Sequence, residues 1–265
     1  MHLARDAPPG PARTLRSDAA WVWPVAAMLL IVAFGGYAVF RAAEATHYLA
    51  DNGRYHYASP FGHPDLTYLA PDLLRGLPIL GAALASPGTF LLPVPFALRA
   101  SCYYYRKIYH RGFFARPGSC AVPARRGRGY KGETGLFAIN NLHRFALYVA
   151  LVALAFNLQD AVLAFATPHG FYLGVGTVVL ALKVAFLAFY LLGCHSLRHL
   201  LGGGLDAYDC DLAGRTRRRL TAGVTALNAR HPLWAWVSLA WVLVADVYIR
   251  HLALSGDATF LGLPA

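Results

Sequence analysis

Residues 191–204 read LLGCHSLRHLLGGG, so a strongly apolar run closes on Cys194, His195 and His199. Thiolate and imidazole are ligands for zinc and for iron–sulfur centres. Two histidines on one iron and two cysteines on the other define a Rieske-type cluster. His195 and His199 are four apart, so on a continuing helix they share a face and could grip one metal. The other cysteines are Cys102, Cys120 and Cys210, and His110, His143 and His231 accompany them. No C-x-x-C pair singles out a ligand set, so the spacing leaves a plain alternative open. In that alternative each cysteine packs as a small hydrophobe and each histidine sits at an interface. A bis-histidine haem b would need histidines at matching depth on facing helices. The apolar runs have none in their middles, only His143, His195, His199 and His231 at one end and His47 at the other. Haem b is therefore the weaker alternative.

The elements that must position these groups follow from composition. Of 265 residues, 57% are hydrophobic and only 14% charged. A bilayer core of about 30 Å needs about 20 apolar helical residues to cross it. Five runs qualify: Ala20–Phe40, Leu77–Leu98, Phe145–Ala166, Phe171–Leu192 and Leu233–Ile249. The expected fold is all-α, an integral membrane bundle of five transmembrane helices spanning 20–254, between a 1–19 cytoplasmic tail and a 255–265 outer tail. The first run is too long for the apolar part of a signal peptide and lacks a small-residue cleavage pattern, so it reads as an anchor. Pro78, Pro87, Pro93 and Pro95 make the second span irregular.

The formal net charge is +11, and its distribution argues against nucleic acid as the partner. Basic residues crowd the first tail (Arg5, Arg13, Arg16), the segment between spans two and three (Arg99, Arg106, Lys107 and others) and the segment between spans four and five (Arg215, Arg217, Arg218, Arg219 and others). The alternate loops are poor in them. That is the positive-inside pattern, with a cytoplasmic amino terminus, multiple passes through the cell's inner (plasma) membrane and a basic face toward anionic membrane lipid. It also puts all four cysteines on the cytoplasmic side, where a reducing milieu disfavours structural disulfides. Within the spans lie three ionisable residues, Asp160, Lys183 and Asp246, and such groups are functional candidates by default. Lys183 leans back along its helix toward Asp160, which predicts an intramembrane charge pair.

The segments SCYYYRKIYHRGFF, PGSCAV, YKGETGLFAINNLHR, LGCHSLRHLLGG and LNARHPLWAW resemble the single-chain, five-span membrane anchor of bacterial succinate dehydrogenase, respiratory complex II, over about Ser101 to Tyr248. The resemblance implies cytoplasmic flavoprotein and iron–sulfur subunits as partners. It also implies a haem-free anchor with a Rieske-type 2Fe-2S cluster, and electrons delivered to membrane quinone. The candidate ligands are His195, His199, Cys194, Cys120, Cys102 and His143, with Cys210 last because its surroundings (LDAYDCDLAG) match the family poorly. A quinone needs an apolar slot with a few polar groups for its carbonyls. Tyr103, Arg106, Arg144 and Trp234 are the suitable types at the cytoplasmic depth. The rival readings are an independent membrane zinc enzyme on the same Cys/His set and a purely structural anchor without a cofactor.

Overall fold

The computed structural model describes residues 22–44, 46–53, 55–62, 93–114, 142–167, 170–203, 211–255, 259–260 and 263–264. Among these residues four helices are long and apolar enough to cross a membrane. They are α1 (Val22–Glu44), α4 (His143–Phe165), α5 (Val175–Leu192) and α8 (His231–Ser255). Shorter helices complete the cysteine end of the bundle. Here α2 (Pro93–Ser101) leads into α3 (Tyr103–Phe114), and α6 (His195–Gly202) is followed by α7 (Leu212–Asn228). The run 77–98 lies outside the described residues except for 93–98, as does Cys120.

The long helices are mostly apolar, and their outward faces carry large apolar side chains, as a lipid-bathed face requires. Leu29, Leu30, Val32 and Val39 of α1 and Val149, Val152, Leu158 and Val162 of α4 are exposed, an apolar surface of the kind that lipid covers. Inward faces carry small residues that let backbones approach: Ala27 and Ala38 on α1, Ala150, Ala161 and Ala164 on α4, Ala235 and Ala245 on α8. Helix α5 packs between α8 and α4, α2 lies against α4, and α3 lies against α1.

The hairpin β1–β2 (Leu49–Asp51 with His56–Ala58) folds back over the end of the bundle away from the cysteines and packs on α8, α4 and α5. Its Tyr57 is fully buried beside Gly176, where a Cβ would overlap the Tyr57 ring. Only glycine fits at the start of α5. Two-residue pairings join β3 (Ala166–Thr167) to β4 (Gly170–Phe171) and β5 (Thr259–Phe260) to β6 (Leu263–Pro264).

One sequence expectation is corrected here. The helix carrying Lys183 does not continue into His195 and His199. It ends at Gly193, where a Cβ would press on the Phe189 carbonyl, and Cys194 is extended (φ −66°, ψ 136°) before α6 begins. The two histidines still share a face, but it is a face of the new short helix.

Candidate functional site

Two cysteines sit in breaks between consecutive helices at one end of the bundle. Cys102 separates α2 from α3, and Cys194 separates α5 from α6. Two histidines open helices at the same end, His143 on α4 and His231 on α8. Packing brings these four donors together as two pairs: His143 Nε2 lies 3.2 Å from Cys194 Sγ, and His231 Nε2 lies 3.8 Å from Cys102 Sγ. A tetrahedral metal with sulfur at about 2.3 Å and nitrogen at about 2.0–2.1 Å holds those ligands about 3.5 Å apart. Both spacings bracket that value, and both also suit a thiol–imidazole contact. Among the described residues no three His, Cys, Asp or Glu side chains converge closely enough to hold a single ion.

The surroundings orient the donors. Ser101 Oγ is 2.9 Å from His143 Nδ1, which leaves Nε2 to face Cys194. The Tyr190 ring stacks on His231 with centroids 4.9 Å apart and lies beside Cys102. His231 Nδ1 is buried with no hydrogen-bond partner among the described residues. Cys102 and Cys194 are both free and buried. Burial pushes the Cys194 thiol above its ordinary range, partly offset by hydrogen bonds from the Ser196 and Leu197 backbone N–H groups at the start of α6. Burial likewise pushes the Tyr105 hydroxyl up to about 12, so it stays a donor, and it donates to the Ala235 carbonyl at 2.7 Å.

His195 and His199 form a separate constellation. Both are exposed, their Nε2 atoms are 3.0 Å apart, and their rings are nearly perpendicular. Partial burial first, then the neighbouring His199 and Arg198 charges, lower the basicity of His195. His195 also lies close enough to His231 to act on it electrostatically. Of the six metal candidates read from the sequence, Cys102, Cys194 and His143 thus meet in the buried set, His195 and His199 meet beside it, and Cys120 lies outside the described residues. His231 is the ligand type that the ranking missed. Pro232 was the available signal, because proline favours the first helical turn and so fixes His231 at a helix start.

Next to the buried set, the helices leave a cavity of about 80 Å³, partly open to the surroundings. Phe34, Leu98, Ala150, Leu154, Leu187 and Val242 supply apolar walls, and Arg99, Asn157 and Tyr190 supply polar atoms. Arg99 is held by Tyr105 Oη at 2.8 Å, the Ala235 carbonyl at 3.0 Å and Ser238 Oγ at 3.1 Å, and lies 4.7 Å over the Tyr190 ring. Tyr190 therefore touches the donor set on one side and the cavity on the other. Tyr103, Arg106, Arg144 and Trp234 do not line this space. Tyr103 is exposed under the Arg106 guanidinium, Arg144 lies over Phe145, and Trp234 packs on Phe189.

At the far end, Asp246 is fully buried and accepts hydrogen bonds from Arg41 Nε at 2.8 Å, Tyr37 Oη at 2.5 Å and Ser59 Oγ. Arg41 also bonds Glu44, and Arg250 bonds Glu44 in turn at 2.6 Å. Lys183 is fully buried, and its Nζ has no hydrogen-bond partner among the described residues. Asp160 and Asp246 both act on it electrostatically, so the carboxylate expected beside Lys183 is joined by a second.

Residues 22–255 match the family described as actinobacterial succinate dehydrogenase subunit SdhC. The fold is similar to a solved chain of the Mycobacterium smegmatis Sdh1 complex in the apo form, with 34% sequence identity, a TM-score of 0.78 and 94% of each chain covered. No curated protein matches this chain.

Proposed function

The chain belongs to the actinobacterial SdhC family of succinate dehydrogenase membrane subunits, and from that premise we propose that it anchors a succinate:quinone oxidoreductase and carries electrons from soluble partner subunits to quinone. The likeness to a chain of the Sdh1 complex supports other succinate dehydrogenase subunits as partners; in this reading a flavoprotein and an iron–sulfur subunit would dock at the cysteine end. The chain holds no succinate site; its part is electron delivery.

The observation that carries this reading is the convergence of two buried thiols and two imidazoles, Cys102, Cys194, His143 and His231, in a chain otherwise built to bury apolar groups. A buried Nδ1 without a partner on His231 is costly unless something else is present to satisfy the ring. Two thiols and two imidazoles are the ligand count of a Rieske-type two-iron cluster, which would take both imidazoles on one iron and both thiolates on the other, so His143 and His231 would turn from their present cysteine contacts toward a shared iron. When bound, such a cluster supplies a one-electron carrier within the bundle. Ser101 would hold the His143 tautomer, as outer hydrogen bonds do for metal-bound imidazoles. The stacked Tyr190 would exclude water from the His231 side. The cavity beyond Tyr190 has the apolar walls and few polar groups of a quinone site, with Arg99 and Asn157 available to its carbonyls.

A specific observation favours a second ligand set. The 3.0 Å approach of the His195 and His199 nitrogens suits two imidazoles on one iron, with Cys102 and Cys194 on the other. Two double variants of the assembled complex separate the sets: His143→Ala with His231→Ala, and His195→Ala with His199→Ala. The double variant that removes the true ligands loses the low-temperature electron paramagnetic resonance signal of the cluster and loses quinone reduction, while succinate oxidation by a soluble dye persists. A haem band in the visible spectrum of the wild-type complex, or full quinone activity in both double variants, overturns the cluster reading.

A further inference from the structure

Three helices repeat one arrangement. On α4, Asn157 lines the cavity and Asp160 follows one turn later. On α5, which runs the opposite way, Leu187 lines the cavity and Lys183 precedes it by one turn. On α8, Val242 lines the cavity and Asp246 follows by one turn. Each ionisable residue is therefore displaced by about 5.4 Å from the cavity wall, in the same direction, away from the cysteines. The far-end loop makes a fourth link: Ser59 donates to Asp246, and its neighbours Pro60 and Phe61 line the cavity.

This layer is unevenly satisfied. Asp246 accepts three hydrogen bonds and is tied through Arg41 to Glu44 and Arg250, which reach the far-end surface. Lys183 has two carboxylates acting on it but no hydrogen bond of its own among the described residues. An ammonium kept inside an apolar bundle for packing alone would be expected to bond its partner, since that is what repays its desolvation. Lys183 instead keeps its N–H groups uncommitted one turn beyond a cavity whose proposed occupant consumes protons. Intramembrane lysines and carboxylates that face a bundle interior mark proton and substrate paths.

We propose that Lys183, flanked by Asp160 and Asp246, supplies protons for quinone reduction in the adjoining cavity and draws them from the bundle end opposite the cysteines. The inference rests on the quinone reading of that cavity. Two electrons from succinate and two protons convert a quinone to a quinol. For a proton delivered here, an N–H bond of the Lys183 ammonium breaks as a bridging water takes up its proton, and that water gives up one of its own as the quinol O–H bond forms. The neutral amine regains its proton from water at the far end, and the two carboxylates keep the charged form available.

The test uses the whole complex in sealed proteoliposomes, oriented with the cysteine end outside, with succinate outside and a short-chain quinone as acceptor. A pH indicator trapped inside reads the far end. In the wild type, alkalinisation of the lumen should accompany quinone reduction, in proportion to turnover. Lys183→Met and Lys183→Arg should each lower quinone reduction roughly 100-fold, the size of a lost acid–base group, while dye-coupled succinate oxidation reports intact assembly. Lys183→Arg is decisive, because arginine keeps the positive charge but does not release its proton. Lumenal pH that stays constant during wild-type turnover overturns the inference, and so does full quinone activity in Lys183→Arg. The quinone reading has its own control in Ala153→Trp, which fills the cavity. If that variant reduces quinone normally, the cavity assignment fails; if it is inactive while the lysine variants are normal, only the proton route fails.

Discussion

Asp246 at the far end accepts hydrogen bonds from an arginine, a serine and a tyrosine, whereas His231 at the cysteine end has a buried Nδ1 with no partner among the described residues. Both groups sit inside a bundle that has no water to spare for them. The far end satisfies the Asp246 carboxylate from within the chain, and these bonds tie α1, α8 and the 46–62 segment together. The cysteine end brings two thiols and two imidazoles within 4 Å contacts but gives them only weak partners in one another. Saturated polarity can fasten helices, whereas thiols and imidazoles left with weak partners are donors that a proposed metal centre would use. The contrast marks the cysteine end as the place where the proposed cluster would be held.

The contrast breaks most visibly at the thiols. Cys102→Ser with Cys194→Ser should abolish quinone reduction and lower the iron content of the purified complex, with the dye-coupled activity intact. Equal iron in variant and wild type would move the centre elsewhere. For the Arg41–Asp246 pair at the far end, the first expected loss is of stability. Arg41→Met strands the buried Asp246 carboxylate and should cost about 3–5 kcal/mol, read as a lower thermal midpoint. Adding Asp246→Leu should recover much of that loss, because replacing both members of a buried pair by apolar groups is often nearly neutral. A double variant no more stable than Arg41→Met would mean that the network does more than neutralise itself.

Gly176→Ala should be a smaller lesion, confined to the seating of Tyr57 and its hairpin on α5. Overpacking of this kind costs about 1–3 kcal/mol, and limited proteolysis of the 46–62 segment would detect it before activity changed. The smallest effect is expected at the exposed hairpin pair Asp51–His56, at 2.9 Å. Hydrogen bonds from the Gly53 backbone and then His56 hold the Asp51 carboxyl below its usual range. A depressed folded value stabilises above the unfolded carboxylate value of about 3.9 and is lost as pH falls through the folded one. Asp51→Asn should therefore shift stability slightly at neutral pH and not at all in strong acid.

Much of this was legible in the residues alone. Long apolar runs announced α1, α4, α5 and α8, and the clustering of cysteines and histidines at their ends announced one chemical face. The pairing of donors was not legible, because it depends on where helices break. Nothing local marks Cys102 as the gap between α2 and α3, and the Gly193 stop shows only once the Phe189 carbonyl is in place. Arg41 directly follows the apolar run 20–40 in the sequence, yet it is wholly buried in the last turn of α1, held by Asp246 two hundred residues away. Contacts of that sequence separation are set by packing, which no short window of sequence contains. The cavity went unread for the same reason, since its polar groups come from α2, α4 and α5 together.

The most direct test of the account is low-temperature electron paramagnetic resonance with nitrogen hyperfine detection on the dithionite-reduced complex, paired with the His143→Ala, His231→Ala variant. The account predicts a two-iron signal coupled to two histidine nitrogens that is present in the wild type and absent from the variant, with the signals of the soluble iron–sulfur subunit unchanged. A wild-type complex with no nitrogen-coupled signal, or the same signal intact in the double variant, would contradict the assignment of Cys102, Cys194, His143 and His231 as the electron-carrying site.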